Sequence, residues 1–184
     1  MMHNKLPNIY YFINEFDPNH ISKIDRNISL IYRNYKKKID ENLIKKIKYF
    51  CKKKKIKFLL SNTFKLAIRL DLDGVYLPSF NKDFRHNNYL LKKEFIVLGS
   101  AHNLKEIKIK EKQGVKAIFI SSVFRKKGTY LGINKFNNLK KHTFKNVIAL
   151  GGINKNNIKK LKLLNIYGFA AIEFFSKKTA PLKN

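Results

Sequence analysis

Eight short apolar runs recur along this chain, and their number and brevity constrain the fold more than any other feature. They are "NIYYFIN" (8–14), "ISLIY" (28–32), "KFLLS" (57–61), "DGVYLP" (73–78), "FIVLGS" (95–100), "KAIFIS" (116–121), "NVIALG" (146–151) and "GFAAIEF" (168–174). Each is continuous rather than alternating, the pattern of a strand buried on both faces. Stretches with helical spacing lie between them. Ile39, Leu43, Ile44, Ile47, Phe50 and Cys51 share one face of a helix, with lysines on the other. Asp40 and Glu41 fall in its first turn, where the helix dipole favours negative charge. Leu104 and Ile107 open a second helix with Asn103 as its N-cap. Ile158, Leu161 and Leu164 mark a third, with Asn154 as the expected cap. Segments 63–70 and 132–142 read as shorter helices. The link 15–27 is too short for a long helix, and 79–93 has weak periodicity.

Strands alternating with helices predict a parallel α/β fold. The expected architecture is a single (βα)8 TIM barrel over residues 1–184, with its core at 8–175 and a basic tail at 176–184. At 184 residues the chain falls below the ~200 or more usual for this fold, so some helices should be reduced to loops. An open doubly wound sheet is the alternative.

Composition narrows the partners. There is no run of about 18 apolar residues, so no membrane span is expected, and the N-terminus lacks the apolar core of a signal peptide. Cys51 is the only cysteine, so no internal disulfide can form, and a reducing cytoplasm is the expected setting. The net charge is +28, which suits anionic partners. The excess is almost all lysine, accompanied by abundant Asn, Ile, Tyr and Phe, the amino acids of A- and T-rich codons. Arginine, which carries bidentate base readout, is scarce. A solvated lysine-rich surface is the better reading, and nucleic acid is not the expected partner.

The chain has only 8 glycines, and two of them, Gly151 and Gly152, stand together after the seventh apolar run. In a barrel of this type, the loops after strands seven and eight often hold phosphate. Glycine there lets the backbone approach an anion and adopt positive φ, and a following helix N-terminus would add to the site. A tight strand-to-helix turn without a ligand is the competing reading.

The order of motifs goes further. "IALGGINKNNI", followed by "NIYGFAAIEFF", resembles the end of the thiamine-phosphate synthase/TenI family. "KLAIRLDLDGVYLP" (65–78) is similar to that family's A-x-x-x-x-A-D-G-V-H-L segment. "GSAHNLKEIKIKEKQGVKAIFISSVF" (99–124) is similar to its S-x-H-S-x-x-E helix, G-A-D-Y strand and G-P-V-F turn. The resemblance runs in order and in register over most of residues 8–175.

This resemblance implies enzymes of thiamine biosynthesis whose synthases join a pyrimidine diphosphate to a thiazole phosphate with Mg²⁺. The expected partner is a phosphorylated thiazole or another metabolite of that pathway, and a homo-oligomer is allowed. The family's Asn-Asp pair after strand three falls on Ser61 and Asn62. Its G-V-H-L-G-Q-x-D pattern falls on "GVYLPSFN", which puts Pro78 and Ser79 at Gly-Gln and Asn81 at Asp. Both expected metal carboxylates are therefore missing, and Asp83 is the nearest carboxylate left. No metal site is expected, and Mg²⁺ enters only if synthase activity is retained. Arg33 matches the Arg of the family's Q-L-R-x-K strand, whose Lys falls on Tyr35. The T-x-T-K pyrophosphate loop is replaced by "FRKKGTYLGI", in which Arg125, Lys126 and Lys127 supply charge. His102 matches the His that the TenI branch associates with proton transfer on a thiazole carboxylate phosphate, work that suits imidazole. Ser100 is expected at the barrel mouth, and Gly168 and Ala170 are expected to help Gly151 and Gly152 hold phosphate. His3, His20, His86 and His142 have no ligand spacing.

Three readings follow. The first is a family enzyme, either a diverged synthase or a TenI-like thiazole tautomerase. The second is a non-catalytic phosphate-ligand-binding or regulatory relative. The third, a nucleic-acid-binding basic protein, requires a basic stripe on one face.

Overall fold

The computed structural model describes residues 6–126, 128–172 and 174–175. All eight apolar runs form strands: β1 (Ile9–Ile13), β2 (Ile28–Tyr32), β3 (Phe58–Ser61), β4 (Gly74–Leu77), β5 (Ile96–Ala101), β6 (Ala117–Ser121), β7 (Asn146–Leu150) and β8 (Gly168–Ala171). Every neighbouring pair is parallel, and β8 returns to β1 through Ile9 opposite Phe169 and Tyr10 opposite Ala170. The sheet is therefore a closed eight-stranded barrel, and the open doubly wound alternative is overturned.

The links show how the barrel fits in a short chain. Helix α1 (Pro18–Ile21) is a single turn. Helix α2 (Glu41–Lys54) is the longest. It opens on Asp40, whose side chain accepts from the Asn42 amide, and it closes on Lys55 in the left-handed region. Ile44 and Ile47 on its inner face are fully buried, each contributing about 1.5–3 kcal/mol by removal from water. The next helices are α3 (Phe64–Arg69), α4 (Leu104–Lys112) and α5 (Gly132–Lys140). After β4 the link holds only a 3₁₀ turn at Arg85–Asn88.

After β7 the expected α-helix is a 3₁₀ segment, Ile158–Leu164, preceded by Asn157. Asn154 does not cap it. Its side chain instead accepts from the amides of Asn156 and Asn157, which closes a turn ahead of the segment. Leu161 and Leu164 still face the core, so the apolar spacing was real although the helix type differs.

Two apolar layers hold the barrel together. The outer one lies between strands and helices and includes Leu30, Ile47, Phe58, Val97 and Ile107. The inner one fills the barrel with Tyr10, Phe12, Ile31, Leu59, Tyr76, Leu98, Phe119, Ile148 and Ala170. Its rings meet edge to face: Phe12 with Tyr76 at 5.0 Å and Tyr76 with Phe119 at 5.4 Å between centroids, the arrangement that the ring quadrupole prefers. This aromatic plug fills the interior and leaves no room for a ligand inside the barrel. Among the described residues, no helix is long and apolar enough to cross a membrane.

Candidate functional site

A cavity of about 240 Å³ opens at the C-terminal mouth of the barrel. Its lining includes six of the sequence-predicted residues: Arg33, Ser100, His102, Arg125, Gly151 and Gly152. They come from four different βα junctions, and only closure of the barrel brings them together. Sequence reasoning did not place Tyr76, Phe80, Ser121, Leu150, Ala171 or Ile172 in the lining, where the structure puts them as well. These residues sit at or just beyond strand ends, which was the available signal.

Arg33 follows β2 directly, its amide donating to the Ile13 carbonyl at 2.8 Å. Its guanidinium lies 4.9 Å from the Phe12 ring centroid, a cation–π contact. The inner aromatic layer thus supports a positive charge at the floor of the mouth. Ser100 and Tyr76 are buried beside it. Burial raises the Tyr76 phenol well above its ordinary value, and a hydrogen bond with Ser100 offsets part of the rise, so Tyr76 stays a neutral hydroxyl.

His102 sits between β5 and α4. Asn103 caps α4 by accepting from the Glu106 amide at 2.9 Å. The Glu106 carboxylate turns back, accepting from the His102 amide at 2.7 Å and meeting His102 Nδ1 at 3.0 Å. A carboxylate only accepts, so Nδ1 carries the proton and Nε2 is the remaining ring nitrogen. Glu106 was legible only as a letter of the helix motif; its orienting role depends on the folded-back capping geometry. Two other histidines make structural contacts. His20 Nε2 meets the Tyr11 hydroxyl at 3.1 Å, and His86 Nε2 meets the Gln113 carbonyl at 2.9 Å.

Gly151 and Gly152 both have positive φ, at 104° and 74°. A Cβ on Gly151 would lie 2.4 Å from Ser122 Oγ, and one on Gly152 would lie 2.5 Å from the Arg125 amide nitrogen. The pair lets the loop after β7 press against the loop after β6, where Phe124 donates to the Gly151 carbonyl at 2.9 Å. Arg125 is thereby held beside the glycine turn. The expected help from a helix N-terminus is absent, because the following segment is a short 3₁₀ turn.

Several other expectations change. Gly168 is the first residue of β8, at the end of the barrel opposite the mouth. It lacks a side chain because a Cβ would lie 1.8 Å from the Asn8 carbonyl oxygen. Ala170 is fully buried inside the barrel, so Ala171 and Ile172 take their place at the mouth. Ser61 does not line the cavity: Tyr35 covers it, with hydroxyl oxygens 2.7 Å apart. Lys126 is exposed and outside the lining. Lys127 and the tail 176–184 lie outside the described residues.

Asn62, which is exposed, and Asn81 do not line the cavity, and their side-chain oxygens accept hydrogen bonds within the protein. Asn81 donates to Asn62 Oδ1 at 2.7 Å, and its own Oδ1 accepts from Gln113 at 2.9 Å. Lys110, fully buried, places its ammonium 2.8 Å from both the Pro78 and Asn81 carbonyls and 2.9 Å from Gln113 Oε1. Asp83 pairs with Arg85, which holds its carboxyl down to about 2. Neutral amides already in use, a buried ammonium and a committed carboxylate do not suit a hard divalent cation, which wants available carboxylate oxygen. The residues present therefore do not fit the Mg²⁺ that the family resemblance implied. Lys110 and Gln113 carried no sequence signal beyond a lysine at an inward helical position.

The family model described as thiamine monophosphate synthase (TMP-TENI) matches residues 28–175. The chain belongs to this family. It is 29% identical to the thiamine-phosphate synthase of Pelagibacter ubique over 98% of this chain and 89% of that protein. It is 30% identical to the thiamine-phosphate synthase of Prochlorococcus marinus over 79% of this chain, but spans only 44% of that longer relative. The fold is shared with a thiamine phosphate pyrophosphorylase from Pyrococcus furiosus, at a TM-score of 0.75 and 19% identity, covering 90% of this chain and 85% of that one. In this family setting, the cavity's position at the strand C-termini coincides with the face on which barrel enzymes carry their chemistry.

Proposed function

We propose that this family member binds a thiazole phosphate at the barrel mouth and acts on it as a TenI-like tautomerase. The observation that carries the reading is the His102–Glu106 pair at the cavity wall. Glu106 fixes the imidazole tautomer, leaving Nε2 to take a proton from one ring position of the ligand and return it at another. The phosphate would lie against the backbone of Gly151 and Gly152 with Arg125 beside it, and Arg33 would supply a second positive charge. Among the described residues, the lining holds no Asp or Glu, which suits an anionic ligand held directly by the protein. The diverged synthase reading is weaker, because the donors around Asn62 and Asn81 do not suit Mg²⁺.

The test follows proton exchange on a thiazole carboxylate phosphate by NMR, in the wild type and in His102→Gln. The variant should lose about 10²–10⁴ in rate while still binding the ligand. Equal rates would reduce His102 to a structural residue. Binding without exchange in the wild type would favour the non-catalytic relative. Pyrophosphate release from a pyrimidine diphosphate and a thiazole phosphate should be weak, and robust release abolished by a chelator would restore the synthase reading.

A further inference from the structure

The cavity has an uncharged aromatic side that the phosphate reading leaves unused. Tyr35, after β2, and Phe80, after β4, both line it. Their rings meet edge to face with centroids 5.5 Å apart, yet they remain 51% and 60% exposed. Exposed rings are common on protein surfaces, but these two are held in place. The Tyr35 hydroxyl is fixed by Ser61 at 2.7 Å. Phe80 lies between Pro78 and Asn81, whose carbonyls both accept from the buried Lys110 ammonium at 2.8 Å. Gln113 adds bonds to the Asn81 side chain at 2.9 Å and to the Asp83 carbonyl at 2.8 Å. The segment carrying Phe80 is thus anchored from below at several points, so its ring is presented to the cavity on a rigid support. A pre-positioned apolar surface loses little freedom when a ligand covers it.

We propose that Tyr35 and Phe80 form a specificity-determining wall that packs against a planar aromatic ring of the phosphorylated ligand, selecting aromatic over aliphatic monophosphates. The inference rests on the phosphate reading above. It adds which residues choose the ligand's other half. Charge alone would not discriminate, because Arg33 and Arg125 attract any phosphate. The aromatic pair supplies the difference through ring–ring contact and the removal of exposed apolar surface from water.

The experiment measures affinity for phenyl phosphate and glycerol phosphate by calorimetry. In the wild type, phenyl phosphate should bind about tenfold tighter, the scale of one good aromatic contact. Phe80→Ala and Tyr35→Leu should bring that ratio towards one, whereas Phe80→Tyr and Tyr35→Phe, which keep the rings, should preserve it. Arg125→Gln should weaken both probes and leave the ratio intact. Because Phe80 is mostly exposed, its truncation leaves the core intact, and an unchanged melting temperature checks this. Equal affinities in the wild type, or a ratio unmoved by Phe80→Ala and Tyr35→Leu, overturn the wall alone. Binding of neither probe overturns the phosphate reading and the wall with it.

Discussion

His102 gains its meaning from a residue four positions later. Without Glu106, the imidazole has no fixed tautomer, because neither ring nitrogen would have a dedicated acceptor. Glu106→Gln keeps the size but presents an amide that can also donate. The proton-exchange rate in this variant should lie between those of the wild type and His102→Gln, with ligand affinity close to wild type. An exchange rate equal to the wild type would mean that the carboxylate only caps α4. Lys110 poses a different problem at the same scale. Burial lowers its ammonium to about 8 from an ordinary 10.5. Between those two values, the unfolded chain holds the proton more tightly than the folded one, so stability rises with pH across that window. Melting curves of the wild type and Lys110→Met should therefore separate further, in favour of the wild type, from pH 8 towards 10.5. A constant gap would show that the ammonium is not desolvated.

At the scale of elements, the barrel mouth depends on loops that press against each other. The loop after β7 reaches the loop after β6 only because Gly151 and Gly152 have no Cβ. Gly151→Ala places a methyl 2.4 Å from Ser122 Oγ at a φ of 104°. It should destabilise the fold by about 1–3 kcal/mol through backbone strain, read as a lower midpoint in urea. Unchanged stability would mean that the loop relaxes without difficulty and that the glycine pair serves ligand contact alone. The segment after β4 shows the opposite solution. It has little regular structure, yet side chains from α4 pin it. Lys110 of α4 and Gln113, which caps its C-terminus, turn towards this segment and give a nearly helix-free link a defined shape.

For the whole molecule, the net charge of +28 dominates behaviour in solution. Among the described residues, few carboxylates form salt bridges, and most pairs are exposed, as with Lys45 and Glu41 or Lys92 and Asp71. Such pairs contribute little each, so repulsion among unpaired lysines exceeds them. Added salt screens that repulsion as the Debye length falls from about 30 Å at 0.01 M to about 8 Å at 0.15 M. The melting temperature should therefore rise with sodium chloride over this range. A fall would show that surface pairs outweigh the repulsion.

How much of this was legible in the sequence differs by feature. The eight strands were, because each had to be apolar on consecutive residues to be buried on both faces. The cap at Asn103 was also readable, since it follows from local backbone chemistry, whereas Asp40, expected inside the first turn of α2, is its N-cap. The order of motifs carried the family, and of the residues singled out, Arg33, Ser100, His102, Arg125 and the glycine pair line one cavity. The tertiary structure decided what depends on contacts distant along the chain. Tyr35 covers Ser61, Lys110 supports the segment that carries Phe80, and Gly168 lies at the end of the barrel opposite the mouth. The segment after β7 became a 3₁₀ turn although its apolar spacing fits an α-helix. The physical reason is that periodicity reports which face is buried, whereas the partners of each polar atom are set only when the barrel closes and brings separate loops within hydrogen-bonding distance.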